Sequence, residues 1–332
     1  MKTAVIAFTQ KGAETAKMLA EKIGADGYTK YAARGMKQFD AVSEIIGDIF
    51  KNYNALIFVG ACGIAVRAIA PYIKDKSKDP AVVVADERGG FAIPILSGHI
   101  GGANDLAKKI AALTNGTAVI TTATDINNKF SVDTFAVKNN LHIGDTKLIK
   151  EISSRVLRGE KIGLYTDYEL KNVPDCFNNG AKAGICISDS DKKPFDITLN
   201  LKPKNIILGI GCKKNCENVE KSVLEFLKTN RVSLFSLFAV ATIDIKKDEP
   251  GILNFCGKYD LPLLTFTARE LANVEGNFTS SDFVKKTVGV DNVCERAVCA
   301  AGARLCAPKT PLGGTALALG KLKTEIDFLK GI

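Results

Sequence analysis

Tryptophan is absent from the 332 residues, and histidine occurs only twice, as His99 and His142. No run of apolar residues approaches the roughly 20 that a membrane-spanning helix requires. The apolar start of the chain, Met1–Phe8, gives way to polar residues too soon for a secretory signal peptide. We therefore expect a cytoplasmic enzyme with no membrane partner.

The sequence also lacks the cysteine spacing that metal sites and disulfide frameworks show. None of the nine cysteines forms a C-x-x-C pair, and two histidines are too few for most zinc sites. An odd number of cysteines cannot all form disulfides within one chain. We therefore predict reduced thiols and no metal site.

Two common nucleotide-binding signatures are missing as well, the G-x-G-x-x-G fingerprint and the Walker Gly-Lys-Ser/Thr ending. The lysines are scattered along the chain instead of forming a basic arm, which argues against a nucleic-acid partner. The formal net charge is nevertheless +9, so the protein attracts anions. A polyanionic small molecule is the partner that fits these features best.

Apolar, β-branched runs alternate with helical patterns along most of the chain, which is typical of α/β proteins. In the first half, the patterns predict strands at 3–8, 55–59, 81–85, 91–96 and 118–122, and helices at 11–23, 64–73 and 102–113. We expect a multi-domain α/β fold in which strand–Gly loop–helix units form three-layer α/β/α sheets. The expected domains are 1–132, a middle module at 133–202 that ends in a linker near Lys202–Lys204, and a C-terminal α/β domain at 203–332.

The segment Ser97–Asp105, which reads SGHIGGAND, lies between a predicted strand and a predicted helix. Glycines at such a junction expose backbone N–H groups where the helix dipole favours a negative charge. His99 is suited to act as a general base, because an unperturbed imidazole has a pKa of about 6.5. The same residues also fit a tight turn in which the histidine only bonds the backbone. The candidate substrate-binding residues of this segment are Gly98, Gly101, Gly102 and Asn104.

Other polar or Gly-rich segments follow neighbouring predicted strands. In Val59–Arg67, Gly60 and Gly63 have backbone amides that suit a carboxylate, and Arg67 is a planar bidentate donor. A close strand-to-helix turn explains the same glycines equally well.

Two further strand ends carry hydroxyls or carboxylates. The segment Thr121–Asp125 (TTATD) places Thr122 and Asp125 after one strand, and Glu87 follows another. Ligands of α/β sheets bind at the carboxyl ends of parallel strands, so these side chains are candidates for the site. A helix cap and a charged hairpin tip are the alternatives.

In the second half of the chain, Gly-rich and polar segments again follow predicted strands. Gly209–Lys214 (GIGCKK) places Gly211 and Lys213 after an apolar strand, and three more polar candidates lie at the end of the strand at 238–243 and in the loop that follows. These three candidate substrate-binding residues are Thr242, Asp244 and Lys246.

Taken in order, these motifs resemble those of the CbiG family, the cobalt-precorrin-5A hydrolases of anaerobic cobalamin biosynthesis. The segments that carry the resemblance are GACGIAVRAIAPYIKDKSKDPAVVVAD, SGHIGGANDLA, TTATD, LGIGCKK, ATIDIKKDEPGI and GVDNVCERA. They span nearly the whole chain, and the C-terminal part resembles the CobE family. The chain departs from the family at Lys214–Cys216, where a Gly-Thr-like start of the helix is expected.

The resemblance implies a substrate that is a contracted, cobalt-bearing tetrapyrrole with many peripheral carboxylates. In it, the ring A acetate forms a δ-lactone with the extruded meso carbon, which carries a methyl group. Opening the lactone with water and releasing this two-carbon unit as acetaldehyde gives cobalt-precorrin-5B. The cobalt arrives with the substrate, so no cofactor is expected. Neighbouring enzymes of the cobalamin pathway and a second copy of the chain are the protein partners that we consider.

On this reading, His99 deprotonates the water that attacks the lactone carbonyl, and the N–H groups of Gly101 and Gly102 hold the oxyanion. Asp125 or Glu87 manages the second proton transfer, and these alternatives stay open at this point. Cationic side chains that bind the substrate carboxylates are expected at Arg67, Lys213 and Lys246. A corrinoid carrier without activity and a sugar-phosphate or nucleotide enzyme are the alternative functions. An RNA-binding protein ranks below both.

Overall fold

A computed structural model describes residues 1–75, 78–127 and 129–330, except for the side chain of Asp125. The chain divides into two compact units, Met1–Thr134 and Phe135–Ile332. No helix among the described residues is long and apolar enough to span a membrane. Each unit has its own sheets and its own hydrophobic core.

The first unit contains seven strands and the helices that cover them. The strands are β1 (Thr3–Ala7), β2 (Asp26–Thr29), β3 (Lys37–Gln38), β4 (Ala55–Val59), β5 (Ala81–Ala85), β6 (Phe91–Leu96) and β7 (Thr117–Ala118). The helices are α1 (Gln10–Ile23), α2 (Val42–Asn52), α3 (Cys62–Ile69), α4 (Ala103–Thr114), α5 (Ala123–Ile126) and α6 (Val132–Lys138). Helix α6 continues into the second unit, and a 3-10 turn at Ala70–Tyr72 follows α3.

The seven strands form one sheet in the order β3-β2-β1-β4-β5-β6-β7. Strands β3, β2, β1, β4 and β5 are parallel, and every residue of β1, β4 and β5 is buried. Such continuous burial is expected when helices cover both faces of a parallel sheet. Helices α1 and α4 pack on one face, and α2 and α3 pack on the other. The first unit is therefore a three-layer α/β/α sandwich.

Strand β6 reverses direction and runs antiparallel to β5, with Leu96 opposite Val82 and Ala92 opposite Ala85. Strand β7 is parallel to β6 and therefore shares its direction. Consequently the segment after Leu96 emerges at the edge where β5 begins. This reversal decides which candidate residues can meet.

The second unit contains the remaining strands and helices. The strands are β8 (Leu141–Ile143), β9 (Gly163–Thr166), β10 (Leu170–Lys171), β11 (Ala183–Ile187), β12 (Ile197–Pro203), β13 (Ile206–Cys212), β14 (Leu237–Ile243), β15 (Leu263–Phe266), β16 (Arg304–Leu312), β17 (Thr315–Lys321) and β18 (Ile326–Asp327). The helices are α7 (Lys147–Leu157), α8 (Val219–Thr229), α9 (Pro250–Tyr259), α10 (Ala268–Ala272), α11 (Asp282–Val288) and α12 (Cys294–Ala300), with 3-10 turns at Leu234–Ser236 and Asp244–Lys246.

Two main sheets organise this unit, a four-stranded sheet β8-β12-β11-β9 and a five-stranded sheet β15-β14-β13-β17-β16, besides the short pair β10-β18. In the larger sheet, β13, β14 and β15 are parallel, β17 is antiparallel to β13, and β16 is antiparallel to β17. Helices α8 and α9 pack on one face of it, and α12 and α10 pack on the other. This part of the chain is a second three-layer sandwich.

The predicted fold class is confirmed, and the strands predicted at 55–59 and 81–85 have the predicted bounds. Two local predictions were wrong. The strand predicted at 118–122 is reduced to the two residues of β7, because beyond Ala118 the chain leaves the sheet towards α5. Lys202 and Pro203, expected in a linker, belong to β12, where they pair with His142 and Leu141 of β8.

The expected three domains at 1–132, 133–202 and 203–332 stay a prediction. Only Lys204 and Asn205 separate β12 from β13, so the connection between the two sheets of the second unit is very short. Lys202 is 2% exposed.

Candidate functional site

The loop that follows β6 is closed by its own backbone hydrogen bonds. The N–H of Gly102 donates to the carbonyl of His99 over 3.0 Å, and the N–H of Asn104 donates to the carbonyl of Gly98 over 3.0 Å. Gly102 has a φ of 82°, a left-handed conformation that suits glycine. Since its N–H already bonds within the turn, Gly102 does not offer a free donor to an oxyanion, contrary to the expectation from the sequence.

The side chain of Asn104 anchors this loop. Asn104 is 5% exposed, and its Nδ2 donates to Thr122 Oγ1 over 2.8 Å. A Cβ atom at Gly98 would lie 2.8 Å from Asn104 Oδ1, so a larger residue would force this amide to shift. Gly98, Asn104 and Thr122, all proposed to bind substrate, are thus brought together, and the contacts they make hold the loop.

Among the described side chains, hydroxyl groups and the carboxylate of Asp133 surround His99. Its Nδ1 is 3.2 Å from Asp133 Oδ2, and its Nε2 is 3.3 Å from Thr124 Oγ1. Ser131 Oγ lies 3.4 Å from the same Nδ1. The side chains of His99 and Asp133 are 13% and 14% exposed, which limits screening by water. This alignment of carboxylate, imidazole and hydroxyl resembles the geometry in which a histidine serves as a base.

The carboxylate of Asp133 is held by donors on its other oxygen. Ser131 Oγ donates to Asp133 Oδ1 over 2.5 Å, and the N–H of Thr134 donates to the same oxygen over 3.1 Å. Burial alone raises the pKa of Asp133, but the hydrogen bond and charge of His99 and these donors outweigh it and lower the pKa from 3.8 to about 2. Asp133 is therefore ionised at neutral pH.

Sequence reasoning identified Thr124 within the TTATD segment but missed Ser131 and Asp133. The signal was present, because Ser131, Asp133 and Thr134 form a polar stretch immediately before or within the first turn of α6. Asp133 is 34 residues from His99 in sequence, and only the return of the chain after β7 brings the two together. The side chain of Asp125 lies outside the described part of the structure.

Glu87 is located at the opposite edge of the same sheet. It follows β5, and its Oε1 accepts a hydrogen bond from Thr9 Oγ1 over 2.5 Å at the start of α1. Its backbone carbonyl accepts a bond from Thr15 Oγ1 over 2.6 Å. Because β6 runs back along β5 before His99, the length of β5 separates Glu87 from His99. The structure does not bring these two residues together.

Gly60, Gly63 and Arg67 lie on the Glu87 side of the sheet. The N–H of Gly60 donates to the carbonyl of Ala85 over 2.8 Å, which fixes the turn between β4 and α3. Arg67 is exposed on α3, and a Cβ atom at Gly63 would be 3.8 Å from its Nη1. This group is therefore separate from the His99 group within the first unit.

The second unit contains a cavity of about 1150 Å³ at the carboxyl ends of β13 and β14. The size exceeds that of most small-ligand pockets, which span roughly 300–1,000 Å³. Its apolar lining includes Ile243, Ile245, Phe283, Val284, Val288, Val293, Pro311 and Leu312. Phe283 of α11 is 78% exposed, an unusual exposure for a phenylalanine beside a large cavity.

Four lysines also line this cavity, namely Lys213, Lys214, Lys246 and Lys309. Lys246 is neutralised in part, because its Nζ is 2.9 Å from Glu249 Oε2. Burial alone raises the pKa of Glu249, but the bond and charge of Lys246 and backbone donors outweigh it and hold this pKa below its usual value. No aspartate or glutamate in the described parts of the chain pairs with the other three lysines.

The remaining candidates of the second unit divide between the cavity and the core. Gly211 lines the cavity together with Lys213 and Lys246. Thr242 is fully buried and its hydroxyl donates to the carbonyl of Ile210 over 2.7 Å, so it stabilises the sheet. Asp244 accepts from the N–H of Ile245 over 2.8 Å and is not part of the cavity lining. Asn215, which lies within the departure at Lys214–Cys216, has a φ of 56° in the loop before α8.

Two cysteines that line the cavity, Cys212 and Cys294, have thiols that are not activated. Burial raises the pKa of Cys212 to about 11 and that of Cys294 to about 12, and both thiols line the cavity. Within the described residues, no three His, Cys, Asp or Glu side chains are grouped so that they could hold a metal ion. The expected lack of a metal site stays a prediction.

Family models that describe cobalamin synthesis proteins match most of the chain. The model for the cobalamin synthesis G N-terminal region matches residues 44–125. The model for the cobalamin biosynthesis central region matches residues 130–203, and the model for the cobalamin synthesis G C-terminus matches residues 206–320. The matched regions lie in the same order as the motifs identified in the sequence.

Individual relatives agree with these matches. A cobalt-precorrin-5A hydrolase from Salmonella typhimurium is 35% identical over 312 residues, which cover 87% of this chain and 89% of the relative. A cobalt-precorrin-5A hydrolase from Priestia megaterium is 29% identical over 327 residues, covering 89% and 87% of the two chains. The solved structure of CobE, a protein from the cobalamin pathway, is 30% identical with a TM-score of 0.34, and covers 37% of this chain and 94% of its own. The resemblance found in the motifs is confirmed, and the chain belongs to the CbiG family of cobalamin synthesis proteins.

Proposed function

We propose that this chain is a cobalt-precorrin-5A hydrolase of cobalamin biosynthesis. The observation that carries the proposal is the extent of the similarity, because relatives with this activity in their names match almost nine-tenths of the chain. The His99 group and the large cavity with several lysines support it, since hydrolysis needs a base and a polycarboxylate substrate needs cations.

The reaction that we propose consumes one water and releases one acetaldehyde. Water attacks the carbonyl carbon of the ring A δ-lactone, and the acyl–oxygen bond breaks to give a carboxylate and an alkoxide on the meso carbon. The alkoxide collapses to acetaldehyde as the bond between this carbon and the macrocycle breaks, and the macrocycle accepts the electron pair. Protonation of the macrocycle completes the balance and gives cobalt-precorrin-5B.

His99 is the residue that we propose as the base for the attacking water. General-base catalysis of this kind contributes about 100- to 10,000-fold to a rate. Gly101 is the proposed donor to the oxyanion, because the N–H of Gly102 already bonds the carbonyl of His99. Asp125 stays the candidate for the second proton transfer, since Glu87 lies at the other edge of the sheet.

The cavity of the second unit is the proposed site of substrate recognition. A tetrapyrrole macrocycle has two broad apolar faces, which suit the wall that contains Phe283 and Val288. Its peripheral carboxylates suit the ammonium groups of Lys213, Lys214 and Lys309, which have no acidic partner among the described residues. The ligand is thus expected to be both planar and polyanionic.

The cobalt belongs to the substrate, and we propose that the enzyme uses no cofactor of its own. We also propose that it acts in the cytoplasm. Transfer of the substrate from neighbouring pathway enzymes and a homodimer stay predictions.

Anaerobic incubation of the purified chain with cobalt-precorrin-5A tests the activity. We expect mass spectrometry to show loss of the two-carbon unit from the macrocycle, and an aldehyde trap to recover acetaldehyde in equal amount. Binding of the macrocycle without any change in its mass would instead indicate a carrier. A response of the melting temperature to nucleotides or sugar phosphates, without any response to the macrocycle, would favour the other enzyme class.

A further inference from the structure

The carboxylate of Asp133 requires the Nδ1 atom of His99 to be a hydrogen-bond donor. The two donors Ser131 Oγ and the N–H of Thr134 converge on Oδ1 of Asp133, at 2.5 Å and 3.1 Å. The other oxygen, Oδ2, lies 3.2 Å from His99 Nδ1. An ionised carboxylate can only accept hydrogen bonds. Nδ1 must therefore carry the proton in this contact.

The other ring nitrogen then follows from the chemistry of imidazole. A neutral imidazole carries one proton, so a proton on Nδ1 leaves a lone pair on Nε2. Thr124 Oγ1 lies 3.3 Å from Nε2 and can donate to it. Ser131 Oγ, at 3.4 Å from Nδ1, can accept from the same N–H while its own proton goes to Asp133. The contacts with Asp133, Thr124 and Ser131 are each consistent with this tautomer.

We propose that Asp133 is the positioning residue that keeps the proton of neutral His99 on Nδ1, so that Nε2 is the basic nitrogen. Asp133 also stabilises the imidazolium that forms when Nε2 takes a proton, because both side chains are largely buried. The catalytic part of this inference rests on the proposed function, whereas the tautomer itself does not.

Replacing Asp133 by asparagine has a specific predicted consequence. The amide oxygen should occupy the position of Oδ1, because the two donors there need an acceptor and an amide nitrogen is itself a donor. The amide NH₂ would then point at Nδ1 of His99 and donate to it. Asp133→Asn is therefore expected to move the proton of His99 to Nε2, the wrong nitrogen for a base in this site.

Nitrogen-15 NMR of histidine-labelled protein reads this tautomer directly and needs no substrate. The chain contains only His99 and His142, so His142→Gln leaves a single imidazole to observe. In this background we expect His99, once neutral, to have a protonated Nδ1 and an unprotonated Nε2. Asp133→Asn should reverse the two signals. Asp105→Asn is the matched control, because Asp105 belongs to the same SGHIGGAND segment but is 58% exposed, and it should leave the signals unchanged.

Kinetics adds a second readout if the chain hydrolyses cobalt-precorrin-5A. Asp133→Asn should lower kcat at least about 100-fold with little change in KM, as expected for an effect on the base alone. A protonated Nε2 in the protein with Asp133 intact would overturn the proposal even if Asp133→Asn failed to fold. So would a folded Asp133→Asn variant in which His99 keeps its proton on Nδ1. Failure of the chain to turn over substrate would refute the proposed function and leave the tautomer result standing.

Discussion

His99 Nδ1 and Asp133 Oδ2 are 3.2 Å apart, in a setting where each side chain is less than one-sixth exposed. The contact joins the loop after β6 to the first turn of α6. The ionised carboxylate stabilises the imidazole, and it also stabilises the folded state. Stability and chemistry at this edge of the sheet therefore depend on the same pair.

The depressed pKa of Asp133 predicts a contribution to stability that disappears in acid. Its pKa is about 2 in the folded protein, against an ordinary value of 3.8. A carboxyl whose pKa falls on folding stabilises the protein above its unfolded pKa and loses this effect as the pH drops through the folded pKa. The contribution is about 2 kcal/mol, and urea unfolding between about pH 5 and pH 2 measures its loss.

Asp133→Asn should remove this part of the pH dependence, so its unfolding free energy should fall less steeply in acid than that of the unaltered protein. Asp40→Asn, which alters an exposed carboxylate of the same unit, should retain the full dependence. Parallel acid profiles for Asp133→Asn and the unaltered protein would rule out this contribution.

The lysines of the cavity predict an effect on substrate affinity without an effect on chemistry. Lys214→Ala or Lys309→Ala should raise KM about fivefold and leave kcat nearly unchanged, because each lost ammonium–carboxylate contact is worth about 1 kcal/mol. Steady-state kinetics at two salt concentrations checks this, since salt should weaken the effect. Lys221→Ala, an exposed lysine of α8 away from the cavity lining, is the control, and an equal rise in its KM would argue against specific recognition.

The buried carboxylate of Glu295 predicts a large loss of stability when it is removed. Glu295 is 1% exposed and accepts bonds from Asn292 Nδ2 at 2.6 Å and from the N–H groups of Thr279 and Lys309 at 2.7 Å and 2.6 Å. Glu295→Ala leaves the buried amide of Asn292 without this partner and removes the acceptor of the two N–H groups, which together should cost about 3 kcal/mol. Urea unfolding tests this, with the exposed Glu225→Ala as control. A loss below about 1 kcal/mol would mean that other groups replace the carboxylate.

For Glu87 we predict that its replacement affects stability but not turnover. Its carboxylate anchors Thr9 at the start of α1, where a negative charge also complements the helix dipole. Glu87→Ala should lower the unfolding free energy by about 1 kcal/mol and leave kcat within about twofold. A large loss of kcat in the folded variant would place Glu87 in the mechanism and contradict its assignment to the other edge of the sheet.

Much of the fold could be predicted from the sequence, because buried parallel strands such as β4 and β5 are continuous apolar runs with clear turns on both sides. The run at 118–122 was misleading, since Val119 and Ile120 are equally apolar but the chain leaves the sheet after Ala118. Lys202 was expected in a linker, yet the hydrogen bond that its Nζ donates to the carbonyl of Ser190 allows it to be buried in β12.

The candidate site could be predicted only in part. His99 stood out because histidine is rare in the chain, but its partner Asp133 depends on tertiary structure. The separation of Glu87 from His99 follows from the reversed direction of β6, and sequence patterns alone do not say at which edge of a sheet two loops lie. The lysines of the cavity were identified where a strand end marked them, as at Lys213, and missed where no such mark exists, as at Lys309.

The proposed hydrolysis is tested most directly by the reaction of cobalt-precorrin-5A in oxygen-18 water, with the macrocyclic product analysed by mass spectrometry. We predict one acetaldehyde per turnover and one oxygen-18 atom in the newly formed carboxylate, since water attacks the lactone carbonyl. We also predict a turnover at least about 100-fold lower for folded His99→Ala. An unchanged substrate with folded protein would contradict the assigned activity. A carboxylate free of oxygen-18 would contradict attack at the carbonyl, and an unimpaired His99→Ala would contradict the role of His99.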